Sequence, residues 1–253
     1  MSDPEYKKMH DQERSYWWFQ GRKYILFRIL ERFDLLSRKD IKTVDIGCGT
    51  GLILESISRK TTALGLDYSN MALSYCRERG LNNLLRADVT KLPIKDASVD
   101  LFLALDILEH IENDKALLGE IYRGLKPGGH LLATVPAHQS LWSEHDEALH
   151  HFRRYSKKDF ETRVRGQGFK IRKSSYVITF TYLPIFIFRK IQNIFRKIFP
   201  SRKEPKSHLI FLPKAINSLL INILKLEGRM VEKSNLPFGV SILCLVKKPD
   251  GEN

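Results

Sequence analysis

Cysteine is scarce in this chain: three in 253 residues, at positions 48, 76 and 244, with no C-x-x-C pair. That scatter excludes a disulfide framework and a cysteine-rich zinc site, and it fits a reducing compartment. Long apolar runs are missing too. The longest uncharged stretch, Ser174 to Phe188, is interrupted by Pro184 and falls short of the ~18–20 residues a spanning helix needs. The start, Met1-Ser2-Asp3-Pro4-Glu5, is polar and acidic. It reads as a chain without a secretory leader, hence cytoplasmic. No internal repeat or low-complexity tract is visible. No Gly-Lys-Ser/Thr follows the glycine cluster near residue 50, which excludes a phosphate-cradling P-loop.

Acidic residues are outnumbered, 29 against 42 basic ones, for a net charge of +13. Such an excess attracts an anionic partner: nucleic acid, anionic lipid or a phosphorylated substrate. It is unevenly spread. Between Phe180 and Lys233 eleven basic residues face three acids, leaving +8 in that segment alone. The hydrophobic fraction, 43%, is ample for a core. The length suits one large domain or a domain with an elaborated insert.

Strand and helix patterns alternate from Ile41 to Gly168, which predicts a doubly wound α/β sheet. Expected strands are Thr43–Ile46, Ala63–Leu66, Leu84–Arg86, Val99–Leu105 and His130–Val135, with Phe169–Val177 and Gly239–Val246 to follow. Expected helices are Leu52–Lys60, Met71–Arg79, Lys115–Leu125 and Lys157–Gly166. Pro127-Gly128-Gly129 reads as a turn between helix and strand. Four regions result: an N-terminal helical cap (1–40), a core (41–179), a basic amphipathic helical insert (180–235), and the last core strand with a tail (236–253). In the cap, Glu5–Phe33 reads as helical and carries Trp17 and Trp18, which either close over a ligand or pack as core. In the insert, an aromatic-aliphatic run from Phe180 leads into basic and apolar residues, then a polar loop with Pro200 and Pro205, then the amphipathic helix Lys214–Lys233.

The most informative stretch is Val44-Asp45-Ile46-Gly47-Cys48-Gly49-Thr50-Gly51. It reads as a buried strand entering a glycine turn and then a helix, whose first amides offer donors to an anionic group. Glycines at alternate positions let backbone approach a ligand. Leu52 stands where a dinucleotide-binding loop has its third glycine. Asp67 ends the next strand-like run, at an offset that suits a carboxylate gripping ribose hydroxyls. Ala87-Asp88-Val89 follows the third strand. Leu108-Glu109-His110-Ile111 and Leu125-Lys126-Pro127-Gly128-Gly129 follow the fourth.

In that order and spacing these motifs resemble the class I S-adenosylmethionine (SAM) methyltransferases of the large type 11 group, over about Lys42 to Val135. Trp17-Trp18-Phe19-x-Gly21-Arg22 and Trp142-x-x-His145-Asp146-Glu147, with His151 and Arg153-Arg154-Tyr155 beyond, resemble a bacterial and archaeal type 23-like subgroup that often accompanies glycan or lipid pathways. The resemblance implies a Rossmann-like seven-stranded sheet with an antiparallel last strand, and SAM as cofactor. It places the ribose on Asp67, the adenine on Asp88 and Val89, and the SAM ammonium on Asp45. Gly47 and Gly49 would admit the ligand to the backbone and Leu105 would offer its own backbone. Arg22 would pair with the SAM carboxylate, and Cys48 and Tyr68 complete the cofactor set.

For catalysis, Asp106, Glu109 and His110 have the spacing of one helical face. By analogy with metal-dependent relatives, that trio suggests a divalent cation polarising a substrate hydroxyl. The preferred reading is metal-free, with Glu109 and His110 lining the cleft or His110 acting as general base. His145 with Asp146 or Glu147 is a second candidate base and orienter. Arg153-Arg154 grips a phosphate or forms a solvated face. The insert is a membrane-interface helix, a wall for a lipid-shaped acceptor, or a plain hydrophobic lid. The expected function is methyl transfer to a small-molecule, glycan or lipid-linked acceptor, at oxygen, peripheral to the inner face of an anionic membrane. Two alternatives stay open: a nucleic-acid methyltransferase, and a non-catalytic SAM-binding partner of a membrane glycosyltransferase. Against the first stand the missing Asn/Asp-Pro-Pro-aromatic and Pro-Cys motifs and the placement of the basic residues among aliphatics.

Overall fold

The structure, a computed structural model, describes residues 3–198 and 212–251. The expected loop with Pro200 and Pro205, and Phe199 before it, lie outside the described residues. Seven strands form one sheet in the order β3-β2-β1-β4-β5-β7-β6. They are β1 (Lys42–Ile46), β2 (Thr62–Asp67), β3 (Leu84–Arg86), β4 (Val99–Leu105), β5 (Leu125–Pro136), β6 (Lys170–Val177) and β7 (Ser241–Lys247). The first five run parallel, and β7 is antiparallel to both β5 and β6. This is the expected Rossmann-like sheet. The order reverses between β1 and β4, so their carboxyl ends open a crevice.

Alternation along β4 shows why both faces are covered. Phe102 and Ala104 join a cluster with Leu117, Ile121 and Phe160, beneath α5 (Asp114–Gly124) and α7 (Lys157–Gly166). Leu101 and Leu103 join Ile25, Ile29, Leu54 and Leu243 on the other face, beneath α2 (Trp17–Arg32) and α3 (Leu52–Ser58). Each leucine, isoleucine or phenylalanine among them, fully buried, contributes about 1.5–3 kcal/mol. Polar caps begin several helices. Ser69 accepts from Ala72 N–H at α4 (Asn70–Glu78), Asn113 from Ala116 N–H at α5, and Ser156 from Asp159 N–H at α7.

Two local expectations change. Pro127-Gly128-Gly129 lies inside β5, as an irregularity between the pairs Val99↔Leu125 and Leu101↔His130, because Gly128 N–H donates to the Lys248 and Pro249 carbonyls. The N-terminal helical segment is two helices, α1 (Asp3–Gln12) and α2, broken after residue 12. Glu13, buried in the break, accepts from Thr50 Oγ1 and pairs with Arg79, which fixes α1 over the glycine turn.

The long connection after β6 holds α8 (Tyr182–Ile198) and α9 (Lys214–Lys233). α9 lies along α2, where Leu224 sits over Gly21 and Tyr24 over Gly228. Its buried Glu227 carboxylate accepts the amides of Ile178, Thr179 and Phe180, which would otherwise be orphaned at the end of β6. Among the described residues no helix is long and apolar enough to cross a membrane.

Candidate functional site

One cavity of about 660 Å³ lies beyond the carboxyl ends of β1, β2 and β4. That size falls within the ~300–1,000 Å³ of ordinary small-ligand sites. Its walls hold Arg22, Gly47, Gly49, Asp67, Tyr68, Asp88, Val89, Leu105, Glu109, His110 and His145. The structure thus brings most of the sequence-derived candidates around one space. Asp45 and Cys48 are not in the lining. Asp45 is buried in β1 near Arg22, and Cys48 places its Sγ 4.0 Å from that of Cys76.

At one end the turn after β1 is left-handed at Gly47 (φ +67°) and Gly49 (φ +56°). A Cβ on Gly47 would come 2.8 Å from Ile107, and one on Gly49 would come 2.9 Å from Met9. Asp67 closes this end. Its Oδ2 accepts Gly49 N–H at 2.9 Å, and its Oδ1 accepts Ser69 N–H at 2.9 Å and the Tyr6 hydroxyl at 3.5 Å. Burial raises its pKa against the pull of those amides. Asp45, fully enclosed, is pushed up to about 7 by burial, with Arg22 pulling it down and Asp67 adding to the rise. Asp88 accepts from the amide and hydroxyl of Thr90, which holds the loop after β3. Tyr68 is largely exposed, with the Arg86 guanidinium over its ring.

The sequence reading missed Tyr6 and Met9, which wall this end from α1. Their only signal was i, i+3 apolar spacing in a charged segment. Trp17 and Trp18 pack with the core, as one of the two expectations had it, and also line the cavity.

At the other end the expected trio does not share a helical face. Asp106 sits in a left-handed turn (φ +56°) before a 3₁₀ turn at Leu108–His110. Its carboxylate pairs with Arg22 at 2.9 Å and accepts from Thr134 at 2.9 Å. The groups that do converge are Glu109, His110 and His151, whose ligand atoms lie within 4.8 Å of one another. His151 thus stands where Asp106 was expected. Glu109 Oε2 is buried without a hydrogen-bond partner, and burial with Asp106 nearby raises its pKa well above the carboxylate range. Burial, with His151 beside it, lowers His110 to about 3.

Asp146 orients His151, not His145. Its Oδ1 lies 3.0 Å from His151 Nδ1 and 2.8 Å from Arg154 Nε, and its other oxygen accepts Ser143 N–H at 2.9 Å. Arg189 of α8 approaches to 3.5 Å. Burial alone would raise Asp146, but His151 and the guanidiniums hold it well below the usual range. Asp146, held as an anion, is placed to accept a hydrogen bond from His151 Nδ1, the tautomer that leaves Nε2 turned away from the carboxylate. His145 is neutral, its pKa near 3 through burial beside Arg189. Glu147 pairs with Arg196. Arg153 and Arg154 are committed internally, to Asp114 and Asp146, rather than standing free as a phosphate grip or a solvated face.

Residues 44–133 match the family described as "Methyltransferase domain". A Mycolicibacterium smegmatis protein named a probable S-adenosylmethionine-dependent methyltransferase is 24% identical over 161 residues, 61% of this chain and 60% of that protein. A ubiquinone biosynthesis O-methyltransferase of Rickettsia bellii is 30% identical over 112 residues, 42% of this chain and 45% of that protein. The chain therefore spans less than two thirds of either relative's length. The methyltransferase solved with the Haloferax volcanii Trm112 methyltransferase activator superposes with a TM-score of 0.62 at 18% identity, over 98% of this chain and 95% of that one. The seven-stranded order, the glycine turn and the match to residues 44–133 agree: residues 44–133 carry a methyltransferase domain of the class I S-adenosylmethionine-dependent type.

Proposed function

We propose that this protein transfers the methyl group of SAM to a hydroxyl of an amphiphilic acceptor, a small molecule, glycan or lipid-linked compound. The observation that carries this reading is the single cavity joining Asp67 and the glycine turn to the Asp146–His151 pair and to an apolar wall from α8. When bound, SAM supplies an electrophilic methyl on a sulfonium and leaves as a neutral thioether.

The chain's residues fit that ligand. Asp67 keeps one lone pair on Oδ2 and gains a second on Oδ1 where the Tyr6 hydroxyl, at 3.5 Å, yields, which serves the two ribose hydroxyls, and the bare Cα atoms of Gly47 and Gly49 admit the ligand's backbone-facing atoms. Asp88 and the Val89 amide take the adenine edge, beside Tyr68, and Leu105 offers its backbone. Arg22, on the cavity wall, faces the carboxylate of the methionyl group, while Asp45, buried behind the turn and outside the lining, reaches its ammonium only through a bridging water. Glu109 and His110 wall the space where the acceptor oxygen approaches the methyl. Positioning of this kind contributes about 7–11 kcal/mol at most. His151 Nε2 would take the proton that the acceptor hydroxyl gives up on methylation. Of the imidazoles there, His151 alone has its Nδ1 on a carboxylate, so it replaces His110 and His145 as the preferred base. The relative named an O-methyltransferase supports oxygen as the target. The apolar residues Phe19, Ile185 and Phe188 support an acceptor with an apolar portion.

Calorimetry with S-adenosylhomocysteine, followed by methyl transfer from labelled SAM to an alkyl catechol and an alkyl glycoside, tests this. His151→Asn should lower turnover about 10²–10⁴-fold, the worth of a general base, and leave S-adenosylhomocysteine affinity unchanged. Turnover within a few-fold of wild type removes His151 from the chemistry. Absence of S-adenosylhomocysteine binding removes the whole reading.

A further inference from the structure

Helix α8 is amphipathic in the reverse sense for a helix covering a soluble domain. Three of its polar side chains reach into the protein. Arg189 donates to the Leu141 carbonyl at 2.7 Å and lies beside Asp146, Asn193 donates to the Trp142 carbonyl at 2.9 Å, and Arg196 pairs with Glu147 at 2.8 Å. A set of its large apolar side chains faces outward. Leu183, Ile187, Ile191, Ile194 and Ile198 recur at helical spacing on one stripe, each between 48% and 62% exposed. A surface helix ordinarily shows the opposite arrangement, and a contiguous exposed apolar stripe marks an interaction site.

Charge in this segment bears on the partner. In sequence, eleven basic residues and three acids lie between Phe180 and Lys233; among the described ones Arg189 and Arg196 pair inward, and Glu227 and Glu232 are taken by backbone amides and by Arg28. Lys190 lies at the edge of the stripe, with its ammonium 5.5 Å from the centre of the Phe186 ring. Basic residues beside an apolar helical face are complementary to an anionic lipid surface, where alkyl stems reach the acyl boundary and ammonium groups meet phosphates. A protein partner would need an acidic rim and an apolar centre on one face; a bilayer offers both everywhere.

The stripe is also continuous with the cavity. Ile185, Phe188 and Arg189 of the same helix line it. We infer that the outer face of α8 docks on an anionic bilayer surface and so opens the cavity to an acceptor drawn from that bilayer. The inference rests on the proposed function for the acceptor's identity; the docking itself does not.

The experiment is co-sedimentation of the full chain with vesicles of equimolar phosphatidylglycerol and phosphatidylcholine, and of phosphatidylcholine alone. Salt is raised from about 0.1 M to about 1 M, where the screening length falls from about 10 Å to about 3 Å. The expected result is binding to anionic vesicles that weakens with salt and persists in part at the highest concentration. The triple variant Ile187→Asp, Ile191→Asp, Ile194→Asp should partition roughly tenfold less or worse, with unchanged S-adenosylhomocysteine affinity showing that it is folded. Absence of binding to either vesicle overturns the inference. So does binding that salt abolishes and the triple variant leaves untouched, since charge alone then suffices. Self-association by light scattering that the triple variant abolishes assigns the face to a second copy instead. Vesicle binding without S-adenosylhomocysteine binding sinks the proposed function and leaves the docking surface standing.

Discussion

Replacing Asp67 by asparagine is the sharpest perturbation of the cofactor end, because the carboxylate holds the glycine turn with some of its lone pairs and faces the cavity with the rest. It is 6% exposed, accepts Gly49 N–H on Oδ2 at 2.9 Å, and accepts Ser69 N–H on Oδ1 at 2.9 Å. An asparagine has one oxygen, so its NH₂ must face one of those two amides, donor against donor. An orphaned amide there costs about 1–3 kcal/mol of stability. For the ligand, hydrogen bonds to a charged acceptor are worth about 1.5–3 kcal/mol each. Loss of both ribose contacts then weakens binding by ~3–6 kcal/mol, or roughly 10²–10⁴-fold in Kd. Calorimetric titration of S-adenosylhomocysteine into both proteins measures this, with urea denaturation of the same samples for the stability cost. The pH dependence carries a sign. Burial raises the Asp67 pKa, so the accepting carboxylate is lost, as pH falls, earlier than an ordinary aspartate with its pKa of about 3.9. Wild-type affinity should decline on acidification while the asparagine variant stays flat. A variant that melts lower but binds within about threefold of wild type refutes the ribose assignment.

Asp45→Asn should change how stability depends on pH. The folded pKa near 7 lies above the ordinary 3.8, so the folded state holds an extra proton between them, and stability present below the ordinary value is lost as pH rises through the folded one. Relative to the variant, wild type should lose on the order of 4 kcal/mol between about pH 4 and about pH 7 in urea denaturation, and parallel curves would contradict the burial argument. Gly21→Ala places a Cβ 2.2 Å from Leu224 Cδ1; overpacking of this kind costs about 1–3 kcal/mol, and an unchanged urea midpoint would show that α2 and α9 do not pack tightly there. Glu227→Gln presents an NH₂ to amides that now reach a carboxylate, at about 1–3 kcal/mol for each one orphaned, read as a lowered midpoint with an unchanged slope.

The sheet was legible because its signals are local. Buried strands such as Leu101–Leu105 are continuous apolar runs, and Gly47 and Gly49 announce a turn through their positive φ. What escaped reading depends on single backbone turns. Asp106 and His150 both take left-handed conformations, at φ +56° and +57°, without being glycine. The first turns Asp106 toward Arg22 and away from Glu109, breaking a trio that helical spacing had joined. The second follows α6 (Glu144–Ala148) and turns the chain so that His151, five residues from Asp146, takes the carboxylate that adjacency had offered to His145. Neither turn has a glycine or proline to mark it, so spacing alone chose the wrong partners.

The insert poses a different problem. An amphipathic period states that two faces exist and fixes the angle between them, and the sequence of α8 shows that period plainly. Which face turns outward is decided by groups far away in the chain: the carbonyls of Leu141 and Trp142, left open where the chain passes from β5 to α6, and the buried charge of Asp146. A buried carboxylate without compensating cations costs far more than exposing part of an isoleucine to water. Arg189 is therefore drawn inward, and with it the rest of the polar face. The apolar stripe is left outside as a consequence of electrostatics inside. The carboxylate that orients His151 is thus the one that sets the outward face of α8, and chemistry at the site and exposure at the surface are consequences of one buried charge.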